Sequence, residues 1–145
     1  MNGLALTLRL VLGGVFVTSG WQKLMAPLEE FKAVIHQYAF LPEVLVPAVT
    51  WAVPWIELIF GTFLVVGFLT RVSAFALASF STGFIAVLAR SLWLGLDISE
   101  CGCFGTALAL APREAILLDG GLLAVALYLI RQGAGPISLD RRLHS

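Results

Sequence analysis

The chain has 145 residues, of which 59% are hydrophobic and only 12% are charged, and its formal net charge is zero. A soluble domain of this size needs far more charge to cover its surface, so the composition is typical of an integral membrane protein. The basic residues form no cluster of the kind that binds nucleic acid. The composition therefore argues against a soluble domain and against a nucleic-acid-binding protein.

Four apolar stretches are long enough, or nearly long enough, to form transmembrane helices, which need about 20 residues each. They cover residues 4–25, 47–69, 72–94 and 114–130. The last is the shortest and contains an acid, Asp119. Because the stretches lack strand alternation and lipid tolerates only helices or closed barrels, the sequence predicts an all-α integral membrane protein. We expect a four-transmembrane-helix bundle that forms one domain, residues 1–145.

The first stretch is expected to be a retained span and not a signal peptide. It has no basic residue before Arg9, and no clean small-residue cleavage site follows it. Between the second and third stretches, "LTRV" is so short that the two helices should be antiparallel neighbours with Arg71 at the tip of the turn. With four spans both termini share one side. A slight excess of basic residues there favours termini in the cytoplasm and the segment of residues 96–112 outside.

The pattern of residues 27–40 predicts a short amphipathic helix between the first two spans. In "PLEEFKAVIHQYAF", Leu28, Phe31, Ile35 and Tyr38 recur at helical spacing, while the charged residues fall mainly elsewhere. A helix of this kind can lie in the membrane interface, here as a lid over one end of the bundle. The alternative is a solvent-exposed connector.

Both cysteines of the chain, Cys101 and Cys103, lie in the polar segment of residues 96–112, with one glycine between them. Structural cysteines usually lie in apolar cores, where the thiol is inert. A disulfide between these two would close a very small ring, and strained, exposed disulfides are the easily reduced, catalytic ones. We therefore favour a redox-active dithiol as the catalytic group.

Two other interpretations of the cysteine pair stay open. Two thiolates can bind Cu(I) or Zn, but such a site needs further ligands. The only histidines are His36 and His144, and His144 is expected on the opposite side of the membrane. We therefore predict no metal site. The second alternative is a tight turn in which the cysteines are incidental.

Ionisable residues within the spans are the second candidate site. Glu57 lies near the middle of its span, where a charge is costly unless it is paired or neutral. Lys23 and Arg90 lie towards the ends of spans one and three at the same end of the bundle, so Glu57 is expected to pair with one of them. Ser19 is four residues before Lys23 and shares its helix face. The alternative role for such a pair is to fix helix register alone.

Five short motifs, in their order along the chain, resemble the MauE/DoxX group of small bacterial membrane proteins. They are R-x-x-L-G (9–13), SGWQKL (19–24), PWIELIFG (54–61), GFLTR (67–71) and CGCFG (101–105). The CGCFG element is the most specific of them and is similar to the MauE branch. The resemblance implies a four-helix bundle in the bacterial cytoplasmic (inner) membrane.

The resemblance also implies a function. MauE is linked to maturation of the disulfide-rich small subunit of methylamine dehydrogenase and accompanies a thioredoxin-like periplasmic partner. Other relatives are associated with thiosulfate oxidation that delivers electrons to quinone. DsbB and vitamin K epoxide reductase have an analogous architecture, although they use more cysteines than the two available here.

Together these observations predict a membrane thiol-disulfide oxidoreductase. Cys101 and Cys103 would exchange electrons with a thioredoxin-like or substrate protein outside the membrane, with a quinone as the implied cofactor. Lys23, Glu57 and Arg90 are the predicted cofactor-binding residues. The alternative is a non-enzymatic scaffold that anchors a soluble redox or metal-handling partner. Small-molecule or ion transport with Glu57 as the coupling group is less favoured, because no broken-helix pair is evident.

Overall fold

The computed structural model describes residues 2–96, 110–133, 135 and 137–143, and these residues form helices and no strands. The six helices are α1 (Asn2–Met25), α2 (Leu28–Gln37), α3 (Val46–Val66), α4 (Thr70–Trp93), α5 (Pro112–Gln132) and α6 (Leu139–Leu143). The all-α prediction is confirmed for the described part of the chain. The four long helices begin and end within a few residues of the four apolar stretches.

In the described part of the chain, three helices are long and apolar enough to cross a membrane, and they lie at Gly3–Met25, Val46–Val66 and Thr70–Trp93. Helix α5 has the same length as α3 but is not among them. Its sequence carries Arg113 and Glu114 in the first turn, Asp119 further in and Arg131 at the end. The protein is therefore a membrane protein with several apolar helices, and the predicted fourth span stays a prediction.

The helices pack most extensively as two pairs, α1 with α3 and α4 with α5, while the expected contact between α3 and α4 is present but smaller. Glycine allows α1 and α3 to approach closely. A Cβ added at Gly20 would lie 2.7 Å from the carbonyl oxygen of Pro54, and one added at Gly61 would lie 2.9 Å from the backbone nitrogen of Val17. Without a hydrophobic drive between helices in lipid, such close contact supplies dispersion energy.

The turn between α3 and α4 lies at residues 67–69, and the placement of Arg71 at its tip was wrong. Gly67 adopts a left-handed conformation (φ 78°) and its N–H bonds back to the carbonyls of Phe63 and Leu64, which ends α3 early. Helix α4 then begins at Thr70, so Arg71 lies in its first turn.

The short helix α6 was not predicted, and it closes this turn. The carboxylate of Asp140 accepts the backbone N–H groups of Leu69 at 2.7 Å and Thr70 at 2.8 Å, which otherwise lack partners at the start of α4. Arg9 of α1 is buried and donates to the carbonyl of Ile137 at 2.7 Å. We call this end of the bundle, where α3 joins α4, the turn end.

At the opposite end, α2 connects the end of α1 to the start of α3. Its amphipathic pattern is as expected: Phe31, Ile35 and the following Tyr38 are buried, whereas Glu29 and Glu30 are exposed. The apolar side chains pack against α3 and the end of α4. We call this end the α2 end. The position of α2 relative to a membrane surface stays a prediction.

Candidate functional site

Buried charges at the α2 end form a cluster between α1 and α3. Lys23 Nζ lies 2.7 Å from Glu57 Oε1 and 2.8 Å from Oε2. Ser19, one turn before Lys23, donates to Glu57 Oε2 at 3.1 Å and accepts from Lys23 Nζ at 3.1 Å. The Lys23 and Glu57 side chains are only 1% and 2% exposed. Of the two partners predicted for Glu57, Lys23 is the one that forms the ion pair.

The ammonium group of Lys23 uses all of its donors within the protein. It has three N–H groups, and three acceptors surround it: both oxygens of Glu57 and the hydroxyl of Ser19. Nζ also lies 5.5 Å from the centroid of the Phe31 ring of α2, where the negative face of the ring attracts the cation. Lys23 therefore has no donor left for a ligand while the ion pair stays closed.

Arg90 has a different role from the one expected for it in the ion pair. Its Nη1 donates to the backbone carbonyl of Tyr38 at 3.3 Å, which ties the end of α4 to the end of α2. Within the described ranges there is no ion pair between Arg90 and Glu57. The structure thus brings together two of the three predicted cofactor-binding residues, Lys23 and Glu57, and leaves Arg90 outside their cluster.

Asp119 of α5 is a further buried acid near this cluster. The residue is only 7% exposed, and among the described residues its Oδ2 has no hydrogen-bond partner. Together with Ser19 and Glu57 it lines a small cavity of about 10 Å³ whose other walls are apolar, among them Phe16 and Phe80. Two carboxyl groups therefore share the environment of one ammonium group.

A larger cavity, of about 320 Å³, lies between α2, α3 and α4 at the same end. Its walls are mainly apolar side chains, among them Phe31, Ile35, Val53, Phe80, Phe84 and Val87. Two lining residues, Tyr38 and Ser79, carry a hydroxyl group. Phe80 and Phe84 also line the small cavity beside Asp119. The volume lies at the lower end of the range of about 300–1,000 Å³ typical of small-molecule sites.

Cys101 and Cys103 lie outside the described residues, so their catalytic roles stay predictions. The segment that contains them, residues 97–109, is attached to the described chain at Leu96 and Leu110. Both attachment residues pack against the buried cluster that includes Tyr38.

This cluster also forms part of the wall of the larger cavity. Val34, Phe84 and Val87 pack against it, and together with Tyr38 they line the cavity. Leu96 and Leu110, the described residues on either side of the cysteine segment, therefore both lie near the apolar cavity.

A family model for the methylamine utilisation protein MauE matches residues 1–132. The chain belongs to the MauE family. It is 32% identical over 122 residues to the methylamine utilization protein MauE of Paracoccus denitrificans, which covers 84% of this chain and 64% of that protein. It is 31% identical over 140 residues to an uncharacterized membrane protein of Mycobacterium tuberculosis, with coverage of 94% and 78%. No solved structure matches the chain.

This MauE-family chain spans just under two thirds of the length of the Paracoccus relative. The region matched by the family model contains the Lys23–Glu57 pair, Asp119 and both cysteines. Helix α6 lies beyond it. The candidate site at the α2 end therefore lies within the part of the chain that the family model matches.

Asp119 is not among the site residues predicted from the sequence, and the apolar cavity was not predicted either. The signal for Asp119 was available, because an acid within an apolar helix is costly unless it has a function or a partner. The cavity had no such signal. Its walls come from three helices whose apolar faces are individually indistinguishable from ordinary packing surfaces.

Proposed function

We propose that this MauE-family membrane protein is a thiol-disulfide redox protein in which Cys101 and Cys103 react with the cysteines of a partner protein. The observation that carries the proposal is the attachment of the cysteine segment. Leu96 and Leu110, which flank it in the chain, both pack against the cluster at the α2 end, near the apolar cavity. A reactive pair held at one end of a helix bundle can meet a soluble partner while the bundle anchors it in the membrane.

The proposed exchange proceeds through a mixed disulfide. The thiolate of one cysteine attacks a disulfide of the partner, forming an intermolecular S–S bond and releasing one partner thiolate. The second cysteine then attacks this bond, which forms the Cys101–Cys103 disulfide and releases the second partner thiolate. The partner gains two electrons and two protons, and this chain loses them. The reverse sequence oxidises the partner, and the small ring of a Cys-x-Cys disulfide favours that direction because strain makes it easier to reduce.

A quinone is the proposed membrane cofactor. The residues at the α2 end fit its apolar ring and chain better than they fit its oxygens. The apolar walls of the larger cavity suit a ring or an isoprenoid chain. The quinone oxygens lack a matching donor in the closed ion pair, because Lys23 already donates to Glu57 and Ser19. A bound quinone would supply an acceptor for two electrons and two protons. The assignment of Lys23, Glu57 and Arg90 as quinone ligands stays part of the proposal.

We also propose that α1, α3, α4 and α5 all cross the bilayer. Helix α5 has 21 residues, and at 1.5 Å per residue such a helix is about 30 Å long, close to the thickness of the hydrocarbon core. Both termini then lie on one side, which the slight excess of basic residues assigns to the cytoplasm. Helix α2 and the cysteine segment then lie at the outer face of the bacterial cytoplasmic membrane. In this orientation α2 is an interfacial lid whose exposed acids, Glu29 and Glu30, face water.

The partner proposed for this chain is a thioredoxin-like protein or a disulfide-containing substrate protein outside the membrane. The Paracoccus relative is named as a methylamine utilisation protein. By analogy, this chain would act in maturation of a disulfide-containing protein. A scaffold that only anchors such a partner is the alternative, and it predicts that the partner stays bound when both cysteines are replaced.

Trapping of the mixed disulfide tests the exchange. In Cys103→Ser, a mixed disulfide between Cys101 and the partner cannot be resolved, because the second cysteine is missing. Cys101→Ser is the reciprocal variant. We expect at least one of them to accumulate a covalent adduct with a partner, cleaved by reductant and absent from the double variant. If neither folded single variant forms an adduct and the double variant retains the partner at the wild-type level, the scaffold is correct and the exchange is not.

A further inference from the structure

The unpartnered carboxyl of Asp119 is a feature that thiol-disulfide exchange does not use. Asp119 lies on α5, about two helical turns from its start at Pro112. The residue is more than nine-tenths buried, and its Oδ2 has no hydrogen-bond partner within the described residues. An ionised carboxylate in such a place is energetically unfavourable unless it is paired or hydrogen-bonded. A second species must therefore satisfy this carboxyl.

The charged groups around Asp119 cannot satisfy it as an anion. Lys23 from α1 and Glu57 from α3 are the charged groups that act on it, whereas the adjoining residues of α4, Phe80 and Phe84, are apolar. All three donors of Lys23 are taken by Ser19 and Glu57. With one ammonium and two carboxyl groups, the cluster is electrically neutral only when it binds one further positive charge.

The small cavity supplies the room for that species. It has a volume of about 10 Å³ and is lined by Asp119, Ser19 and Glu57. A buried water needs about 10–15 Å³ and two to four polar partners, so the cavity suits one water molecule and nothing much larger. Glu57 Oε1 accepts a single hydrogen bond, from Lys23, and an ionised carboxylate oxygen has capacity for another.

We propose that Asp119 is a proton-binding site inside the helix bundle. Its carboxyl holds one proton, and a water molecule in the small cavity links the acid to Ser19 and Glu57. Proton binding forms the O–H bond of Asp119 and neutralises the cluster, and the proton leaves through the bridging water. The inference rests on these contacts and not on the exchange proposed for the cysteines.

Infrared spectroscopy of the purified protein tests this site through the carbonyl stretch of a protonated carboxylic acid. We expect such a band at neutral pH, and we expect Asp119→Asn to remove it. The matched control is Glu114→Gln, which changes an exposed acid on the same helix and should leave the band in place. A band that persists in Asp119→Asn, or no band in the wild type, overturns the proposal.

Two further measurements do not depend on the folding of a variant. In wild-type protein whose aspartates carry carbon-13 in the side-chain carboxyl, the band should move to lower frequency, because it then belongs to an aspartic acid. The spectrum should also be the same in sodium and in choline salts. A band that appears only when sodium is absent shows that the cavity binds a metal cation, and that result contradicts a proton site.

Discussion

Buried charged side chains have different bonding partners at the two ends of the bundle. At the turn end, the charged side chains attract each other and also bond to the backbone: Arg9 donates to the carbonyl of Ile137, and Asp140 accepts the N–H groups of Leu69 and Thr70. At the α2 end, Lys23 and Glu57 bond to each other across two helices, and Asp119 is left over beside a small cavity.

This difference distinguishes a structural role of the charges at the turn end from a functional role at the α2 end. The bonds at the turn end join α6 to the α3–α4 turn and supply partners for backbone groups that a helix start leaves open. The α2 end has an ion pair, an unpartnered acid and two cavities, and the segment containing both cysteines is attached there. Charged groups that exceed what packing needs are typical of functional positions within membranes. We therefore expect changes at the turn end to affect stability alone.

Breaking the Lys23–Glu57 pair should have the largest effect. Glu57→Leu leaves the ammonium of Lys23 buried without its counterion, which should lower the free energy of unfolding by about 3–5 kcal/mol. Denaturant unfolding of the protein in detergent measures this loss. Replacing both partners, as Lys23→Met with Glu57→Leu, should restore most of the stability because no unpaired charge is left.

The control for this experiment is the exposed pair on α2. Lys32 Nζ lies 3.9 Å from Glu29 Oε2, and both side chains contact water. Lys32→Met should therefore change the free energy of unfolding by less than about 1 kcal/mol. A Glu57→Leu variant no less stable than Lys32→Met would refute the account of the α2 end.

The close contact of α1 with α3 should give the next largest effect. Gly20→Ala places a methyl group against the carbonyl of Pro54 and the backbone of Leu58, neither of which can move without shifting α3. Such overpacking costs about 1–3 kcal/mol. Gly14→Ala is the matched control, because nothing lies within 4 Å of the added carbon. Thermal unfolding of the two variants compares them, and equal midpoints would contradict close approach at Gly20.

Removing the cap at the turn end should have the smallest effect. Asp140→Ala leaves the N–H groups of Leu69 and Thr70 without their acceptor, which should cost about 0.5–2 kcal/mol. Leu143→Ala, at an exposed position of the same short helix, is the control and should cost less. The redox state of the cysteines should stay at the wild-type level in both variants. A change in the redox state would contradict the expectation that the turn end affects stability alone.

Much of the helical framework followed from the sequence. Long apolar stretches have few alternatives in lipid, so the positions of α1, α3, α4 and α5 could be predicted to within a few residues. The pairing of Glu57 with either Lys23 or Arg90 also followed, because a charge near the middle of a span requires a partner at the same depth. The choice of Lys23 over Arg90 could not be made, since it depends on how α1 and α3 approach at Gly20 and Gly61.

Features that depend on several helices at once were not predictable. The early end of α3 depends on the left-handed Gly67 together with Asp140, which comes from a segment more than 70 residues away. The apolar cavity forms where α2 packs across α3 and α4, and hydropathy alone does not distinguish a cavity wall from a packed face. The roles of Cys101 and Cys103 stay predictions from their spacing and from the family.

The central claim, that Cys101 and Cys103 form a redox-active pair, is tested most directly by thiol labelling in intact cells. A membrane-impermeant maleimide is added before and after mild reduction, and the labelled protein is weighed by mass spectrometry. We predict that a fraction of the wild-type protein takes up two labels only after reduction, whereas Cys101→Ser and Cys103→Ser molecules that are not held in a partner adduct take up one label without it. If both wild-type cysteines are labelled completely before reduction, the pair does not cycle and the claim is wrong.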